Sequence, residues 1–326
     1  ALALLLSPDA EFVRGLLEDE LAKGLDAAWR VAADRALGAL QVCADKLKRR
    51  RVHLARSVAT EACRRAANGP EFIDRVRRET GIALDIISAK EEARLAVISC
   101  APLVGGKTEQ LLVVDIGGGS TELVWIDLST VPPEDRPKSI MRLHRGFQPQ
   151  GEQAARVVDW ISVPLGVATL KDQFADVEDD AARFALMSWF FEENLASFSP
   201  YNAQQAREGF QIIGTSGTVT TVAASYLNLR RYDRTKVDGL QMTSDQIDSV
   251  IRDYLSLGPE GRRTDPRIGR DRHHRMQDVG AVVLNDGTLS GGVMSGASYL
   301  LKKGLVSTVL AGTASLTKSG LDEVVM

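Results

Sequence analysis

Four apolar residues, Leu111 to Val114, follow one another without the polar alternation of a half-exposed strand. Such a run predicts a strand covered on both faces. It ends on Asp115 and, one residue later, on Gly117, Gly118 and Gly119; the apolar pattern then resumes from Leu123 to Ile126. The segment reads as strand, glycine turn, strand. Upstream, Phe12, Leu16 and Leu17 among charges, then an alanine-rich stretch at 27–47, predict helix over residues 9–50. Val52 to Val58 reads as a short strand entering a helix at Thr60, whose hydroxyl can cap it. Asn68, Gly69 and Pro70 break the chain, Glu71 to Thr80 is an amphipathic helix, and Ile82 to Ile87 is a strand. Ser88-Ala89-Lys90-Glu91 is a capping-box pattern opening a helix to about Cys100. This alternation of strand and helix argues an α/β fold.

Beyond the glycine turn, Pro132, Pro133 and Pro137 mark a surface excursion at 129–158, followed by helix to about Trp160. Ser162 to Gly166 returns to strand and turn. Residues 179–197 read as a helix whose Trp189, Phe190 and Phe191 are core. Phe210 to Ile213 is a strand that ends in Gly214-Thr215-Ser216-Gly217-Thr218 and feeds a helix to about Leu227. A capped helix over 244–257, a cation-dense stretch from Arg262 to Arg275 and a strand from Thr308 to Ala311 complete the pattern.

Composition changes this picture little. A chain of 326 residues suggests two domains. The formal net charge of −3 argues against broad electrostatic binding to nucleic acid, so a polyanionic ligand would have to meet local basic clusters. One such cluster is Lys46, Lys48, Arg49, Arg50 and Arg51, read first as the solvated end of a helix. The three cysteines, Cys43, Cys63 and Cys100, suggest neither a disulfide framework nor a zinc site. The apolar run Ala1 to Leu6 is too short to span a bilayer and has no basic flank. The expectation is a cytoplasmic protein with no membrane partner.

The chemistry sits at the two glycine turns. Glycine lets a backbone approach an anion closely and aim several N–H groups at it. The second turn also opens a helix, whose N-terminal N–H groups suit an anion. Asp115 and Glu122, flanking the first turn, could hold Mg²⁺ through water. Phosphate plus metal is the expected ligand pair.

In order along the chain stand Ala59-Thr60-Glu61-Ala62-Cys63-Arg64, Ile86 to Leu95 with its Glu91-Glu92-Ala93-Arg94-Leu95, and Asp115 to Leu123 with its Gly-Gly-Gly-Ser-Thr-Glu. Ser162 to Gly166, Ile213 to Thr218 and Ile268-Gly269-Arg270-Asp271-Arg272 follow. Together these motifs resemble the exopolyphosphatase/guanosine pentaphosphate phosphatase (Ppx/GppA) family of the actin/sugar-kinase/Hsp70 superfamily, over roughly residues 50–275. The resemblance implies two ribonuclease-H-like (actin-like ATPase) domains around a central cleft. Domain I would span 1–108, with 305–326 packing back on it, and domain II 109–304. It further implies release of terminal phosphate from inorganic polyphosphate or guanosine pentaphosphate, with Mg²⁺ or Mn²⁺ as cofactor and a homodimer as the assembly.

Residue by residue, Glu92 matches the family's catalytic base; Glu91 is committed to the capping box, which leaves Glu92 to point into a cleft. Asp115 and Glu122 match metal-associated acids. Gly117, Gly118, Gly119 and Ser120 match one phosphate cradle, and Gly214, Thr215, Ser216, Gly217 and Thr218 the opposing one. Arg64 and Arg272 match phosphate-contacting cations. The family also begins with an Asp-x-Gly-Ser hairpin that Ala1 to Ala22 does not reproduce, so the first domain is expected to lack it. That departure motivates a second reading, a catalytically impaired regulatory protein that binds ppGpp or polyphosphate. A kinase of the same architecture is the third; Glu-Glu-Ala-Arg-Leu argues against it.

Overall fold

The computed structural model describes residues 20–166, 169, 173–174, 176–198, 209–268 and 306–310. Two compact units divide the chain, Ala1–Glu92 and Ala93–Met326. The division falls inside a helix rather than at the 108/109 boundary expected from the sequence.

The smaller unit opens with a long helix, α1 (Glu20–Arg49). Strand β1 (Ser57–Ala59) leads through a one-turn helix α2 (Glu61–Arg65) to α3 (Gly69–Thr80) and β2 (Leu84–Ile86). Strands β1 and β2 pair in parallel, Val58 opposite Asp85. Ala33, Ala36, Leu37, Leu40 and Ala44 of α1 pack with Phe72 and Val76 of α3, Ala59, and Ala62 and Cys63 of α2. Small α1 residues let the helices approach, and Arg75 of α3 reaches Asp34 of α1 at 2.5 Å.

Asn68, Gly69 and Pro70 begin α3 rather than merely interrupting the chain. Asn68 is the N-cap and proline stands in the first turn, where its missing N–H costs no bond. A Cβ on Gly69 would lie 2.3 Å from the Cys63 carbonyl oxygen, so only glycine lets α3 start this close to α2. The basic run 46–51 is the exposed end of α1, as expected.

Helix α4 (Ala89–Ser99) carries the chain from one unit into the next. The larger unit is built on β3 (Gln110–Ile116), β4 (Thr121–Asp127), β5 (Arg156–Val163), β6 (Phe210–Thr215), β7 (Leu240–Met242) and β8 (Val306–Leu310). Its sheet runs β5-β4-β3-β6-β8-β7. Strands β3, β6 and β8 are parallel; β4, β5 and β7 join antiparallel. Strand β8 thus belongs to this sheet, and the segment expected to pack on domain I contributes a strand here.

The unbroken apolar run of β3 has a direct cause. Leu112, Val114 and Ile116 enter one core with Met187, Phe191, Val219, Val222 and Ile251, while Leu111 and Val113 enter another with Ala93, Val97, Val124, Ile126 and Ile140. Helices α6 (Asp180–Leu195), α7 (Ser216–Tyr226) and α9 (Ser244–Thr264) supply the first core. Helix α9 is capped by a reciprocal box between Thr243 and Gln246, one residue before the expected start. A four-residue helix, α8 (Arg234–Val237), precedes β7.

Three expectations change. The stretch up to about Trp160, expected as helix, instead belongs to strand β5 from Arg156 onward: Val157, Val158 and Ile161 favour a strand once β4 offers a ladder, and Thr121 stands opposite Val163. The proline-rich excursion is not simply surface, since Val131, Ile140 of the short helix α5 (Arg136–Met141), Leu143 and Phe147 are core residues. Of the aromatic cluster on α6, Phe191 is buried but Trp189 is 55 % exposed. Arg262, the first of the cation-dense stretch, is buried and donates from Nη1 to the Tyr254 carbonyl at 3.0 Å. No described helix is long and apolar enough to cross a membrane.

Candidate active site

The first glycine turn is held by backbone. Gly117 N–H donates to the Ser120 carbonyl at 3.0 Å, which closes the β3–β4 hairpin. Antiparallel register then sets Asp115 opposite Glu122. The parallel ladder sets Asp115 beside Thr215. The hairpin and the strand-to-helix turn Gly214–Thr218 therefore lie at the same end of one sheet, which strand pairing alone brings about.

Helix α7 begins at Ser216, and its first N–H groups have no intrahelical acceptors. Ser216 has φ of 79°, a left-handed value unusual for a side-chain-bearing residue and a marker of strain. Thr215 and Thr218 are buried. A Cβ on Gly217 would meet nothing within 4 Å, so open space faces it.

A third motif completes this end. Gly166 lies directly on the hairpin: a Cβ there would come within 2.4 Å of the Gly118 carbonyl and 2.6 Å of the Gly117 oxygen. Thr121 Oγ1 donates to the Leu165 carbonyl at 2.8 Å, and Ser162 Oγ donates to Glu122 Oε1 at 2.8 Å. Ser162 to Gly166 thus acts as a brace under the glycine turn, a role its sequence did not announce.

Two carboxylates directly opposite on paired strands repel, which favours a cation between them. Asp115 is half-buried and Glu122 buried. Among the described residues no group of three or more His, Cys, Asp and Glu side chains is arranged to hold a metal. A pair of hard oxygen donors is nonetheless what Mg²⁺ uses, because it keeps several waters and takes one or two carboxylates. The residues present fit that ion.

Glu92 and Arg64 belong to the smaller unit. Arg64 Nη2 donates to Glu92 Oε2 at 2.8 Å and to Glu61 Oε2 at 2.7 Å, and its Nη1 donates to the Ile87 carbonyl at 2.8 Å. The Thr60 hydroxyl bonds the Glu92 carboxylate instead of capping α2. Glu92 is therefore engaged by Arg64 and Thr60, while its neighbour Glu91 is held separately. Ser88 Oγ does accept from Glu91 N–H, and Arg56 Nη1 grips Glu91 Oε1 at 2.8 Å.

Burial pushes the Glu92 carboxyl above its ordinary range; the Arg64 bond and charge oppose the rise, and Glu61 adds to it. Burial disfavours the Arg64 cation, but its bonds to Glu92 and Glu61 overcome that and hold its proton more firmly. One guanidinium serves two carboxylates here, with Arg65 standing 3.9 Å from Glu61 as a weak supplement. Burial also raises the thiols of Cys63 and Cys100, to about 11 and about 12. Neither suits a thiolate nucleophile. Arg272 lies outside the described residues.

The sequence matches the Ppx/GppA phosphatase family over residues 21–262. Among solved structures, an exopolyphosphatase-like protein is 25% identical, with a TM-score of 0.66 over 86% of this chain and 80% of its own. The Ppx/GppA family member from Aquifex aeolicus is 24% identical, with a TM-score of 0.58 over 90% of this chain and 79% of its own. An exopolyphosphatase from Cytophaga hutchinsonii is 20% identical, with a TM-score of 0.63 over 86% and 78%. These likenesses give the chain the two-domain, actin-like α/β fold.

Proposed function

Because the chain belongs to the Ppx/GppA phosphatase family, we propose that it releases terminal phosphate from inorganic polyphosphate or guanosine pentaphosphate by in-line attack of water. The observation that carries this reading is the strand register that sets Asp115 opposite Glu122 and beside Thr215, with both glycine turns at one end of one sheet. Two similar proteins are named exopolyphosphatase or exopolyphosphatase-like, which supports the substrate class.

The division of labour follows from the chemistry. A terminal phosphoryl group carries charge that must be neutralised before water attacks in line. Backbone N–H groups of the glycine hairpin and of the first turn of α7 hold its oxygens. Asp115 and Glu122 would hold Mg²⁺ or Mn²⁺, which when bound would supply further neutralisation of the phosphoryl oxygens. Glu92 takes the proton of the attacking water at its carboxylate; a buried carboxyl of raised basicity suits that work. Arg64 orients Glu92 and contributes its forked cation to phosphate. The homodimer is part of the same reading, and light scattering of the purified chain measures it.

The test is phosphate release from polyphosphate and from guanosine pentaphosphate, with and without Mg²⁺, by the wild type and by Glu92→Gln. The amide cannot accept the proton, so kcat should fall by roughly 10²–10⁴-fold. Full activity in Glu92→Gln would remove Glu92 from the mechanism. Tight binding of guanosine tetraphosphate by a wild type that turns nothing over would favour the regulatory reading instead.

A further inference from the structure

The stretch between β4 and β5 encloses a pocket of about 330 Å³ that the proposed phosphatase chemistry does not use. Its size sits at the lower end of small-ligand sites. Lys138, Arg142 and His144 line it with the amides of Gln148, Gln150 and Gln153. The one acid on the lining, Asp135, lies 3.4 Å from Lys138 and offsets part of its charge. The Arg142 guanidinium is exposed, and no acidic partner holds it among the described residues.

His144 presents a defined donor. Gly146 N–H donates to its Nδ1 at 3.0 Å, so in the neutral ring the proton resides on Nε2. The turn that carries it is rigid. Phe147 N–H returns to the His144 carbonyl at 2.9 Å, and Phe147 has φ of 61°, an outlier for a bulky residue. Its ring is buried edge-on against Trp160, 5.8 Å away, which fixes the strained backbone. Arg94 Nη1 holds the Leu143 carbonyl at 3.0 Å, and Ser139 Oγ accepts from Ala155 N–H at 2.7 Å, tying the two sides of the pocket together. Strain that neighbours hold in place is common at ligand sites.

We propose that this pocket binds a small phosphorylated anion, no larger than a nucleoside monophosphate, through Arg142, Lys138 and His144 Nε2–H. The guanidinium fork and the imidazole N–H meet the phosphate. The three glutamine amides, each both donor and acceptor, meet the polar body of the ligand. The site is separate from the phosphate cradle. The glycine turn closes one end of β4, whereas every residue lining the pocket, from Pro132 to Ala155, belongs to the connection that leaves the other end.

The experiment follows the imidazole signals of the full chain by NMR during titration with adenosine 5′-monophosphate, inorganic phosphate and adenosine. The chain has four histidines, and His144→Gln identifies the signal of interest. The expected result is a saturating shift of the His144 signal with the monophosphate, a weaker one with phosphate alone and none with adenosine. Arg142→Ala, an exposed substitution, should weaken the monophosphate titration roughly tenfold or more while leaving phosphate release unchanged. A His144 signal unmoved at millimolar monophosphate, or equal affinity in Arg142→Ala, would overturn the proposal.

Discussion

The glycine hairpin and the Arg64–Glu92 cluster are both candidate phosphate chemistry, yet they are built in opposite ways. The hairpin is held by backbone: a Gly117–Ser120 hydrogen bond, two strand registers and the Gly166 backbone laid against Gly117 and Gly118. No long side chain has to choose a rotamer. The cluster is held largely by side chains: one partly buried guanidinium bonds two carboxylates and the Ile87 carbonyl, and the Thr60 hydroxyl bonds Glu92. The first is rigid and insensitive to protons. The second can exchange partners and titrates. A site that must cradle an anion gains from the first construction, and a site that must move a proton gains from the second.

Substitutions can break each side of that comparison. The largest effect on activity should come from Glu92→Gln, with the roughly 10²–10⁴-fold loss in kcat and a circular dichroism spectrum like the wild type's. Gly166→Ala should do the reverse. Its Cβ would stand 2.4 Å from the Gly118 backbone, which cannot swing away as a side chain would, so a loss of about 1–3 kcal/mol should appear in thermal melts with activity failing alongside.

Arg64→Ala sharpens the cluster's role through pH. Burial already raises the Glu92 carboxyl, and Arg64 is what restrains the rise, so its removal should move the acidic limb of the pH–rate profile to higher pH. The same shift has a stability sign. Folded Glu92 holds its proton more tightly than the unfolded chain does, so the stabilisation it contributes is complete below its ordinary value of 4.5 and is lost as pH rises through the folded value. Denaturant melts across mildly acidic pH should show that slope in the wild type and lose it in Glu92→Gln. The smallest effect belongs to Ser162→Ala, which removes one hydrogen bond to Glu122 and should cost about 1 kcal/mol in the same melts.

Some of this was legible in residue order. An unalternated apolar run means a strand covered twice, and Leu111 to Val114 enter two cores on opposite faces of the sheet. A glycine run between two such strands means a tight hairpin, and Gly214–Thr218 follows a strand and opens a helix as its residue types require. Other features misled because their cause lies elsewhere in the chain. The stretch up to Trp160 resembles helix until β4 offers its edge. The Thr60 hydroxyl looks like a cap until Glu92 competes for it. Trp189 looks like core until α6 turns it outward.

What sequence alone determined, then, are features that need only neighbours within a few residues: propensity, apolar period, glycine freedom, capping patterns and the order of the motifs. The tertiary structure decided which distant groups share a hydrogen bond or a charge. It paired Asp115 with Glu122 and Thr215, laid Gly166 on the hairpin, and set Arg64 between Glu61 and Glu92. The reason is range. Backbone preferences act along the chain over one or two turns, whereas register, burial and electrostatic partnership exist only once segments dozens of residues apart have packed.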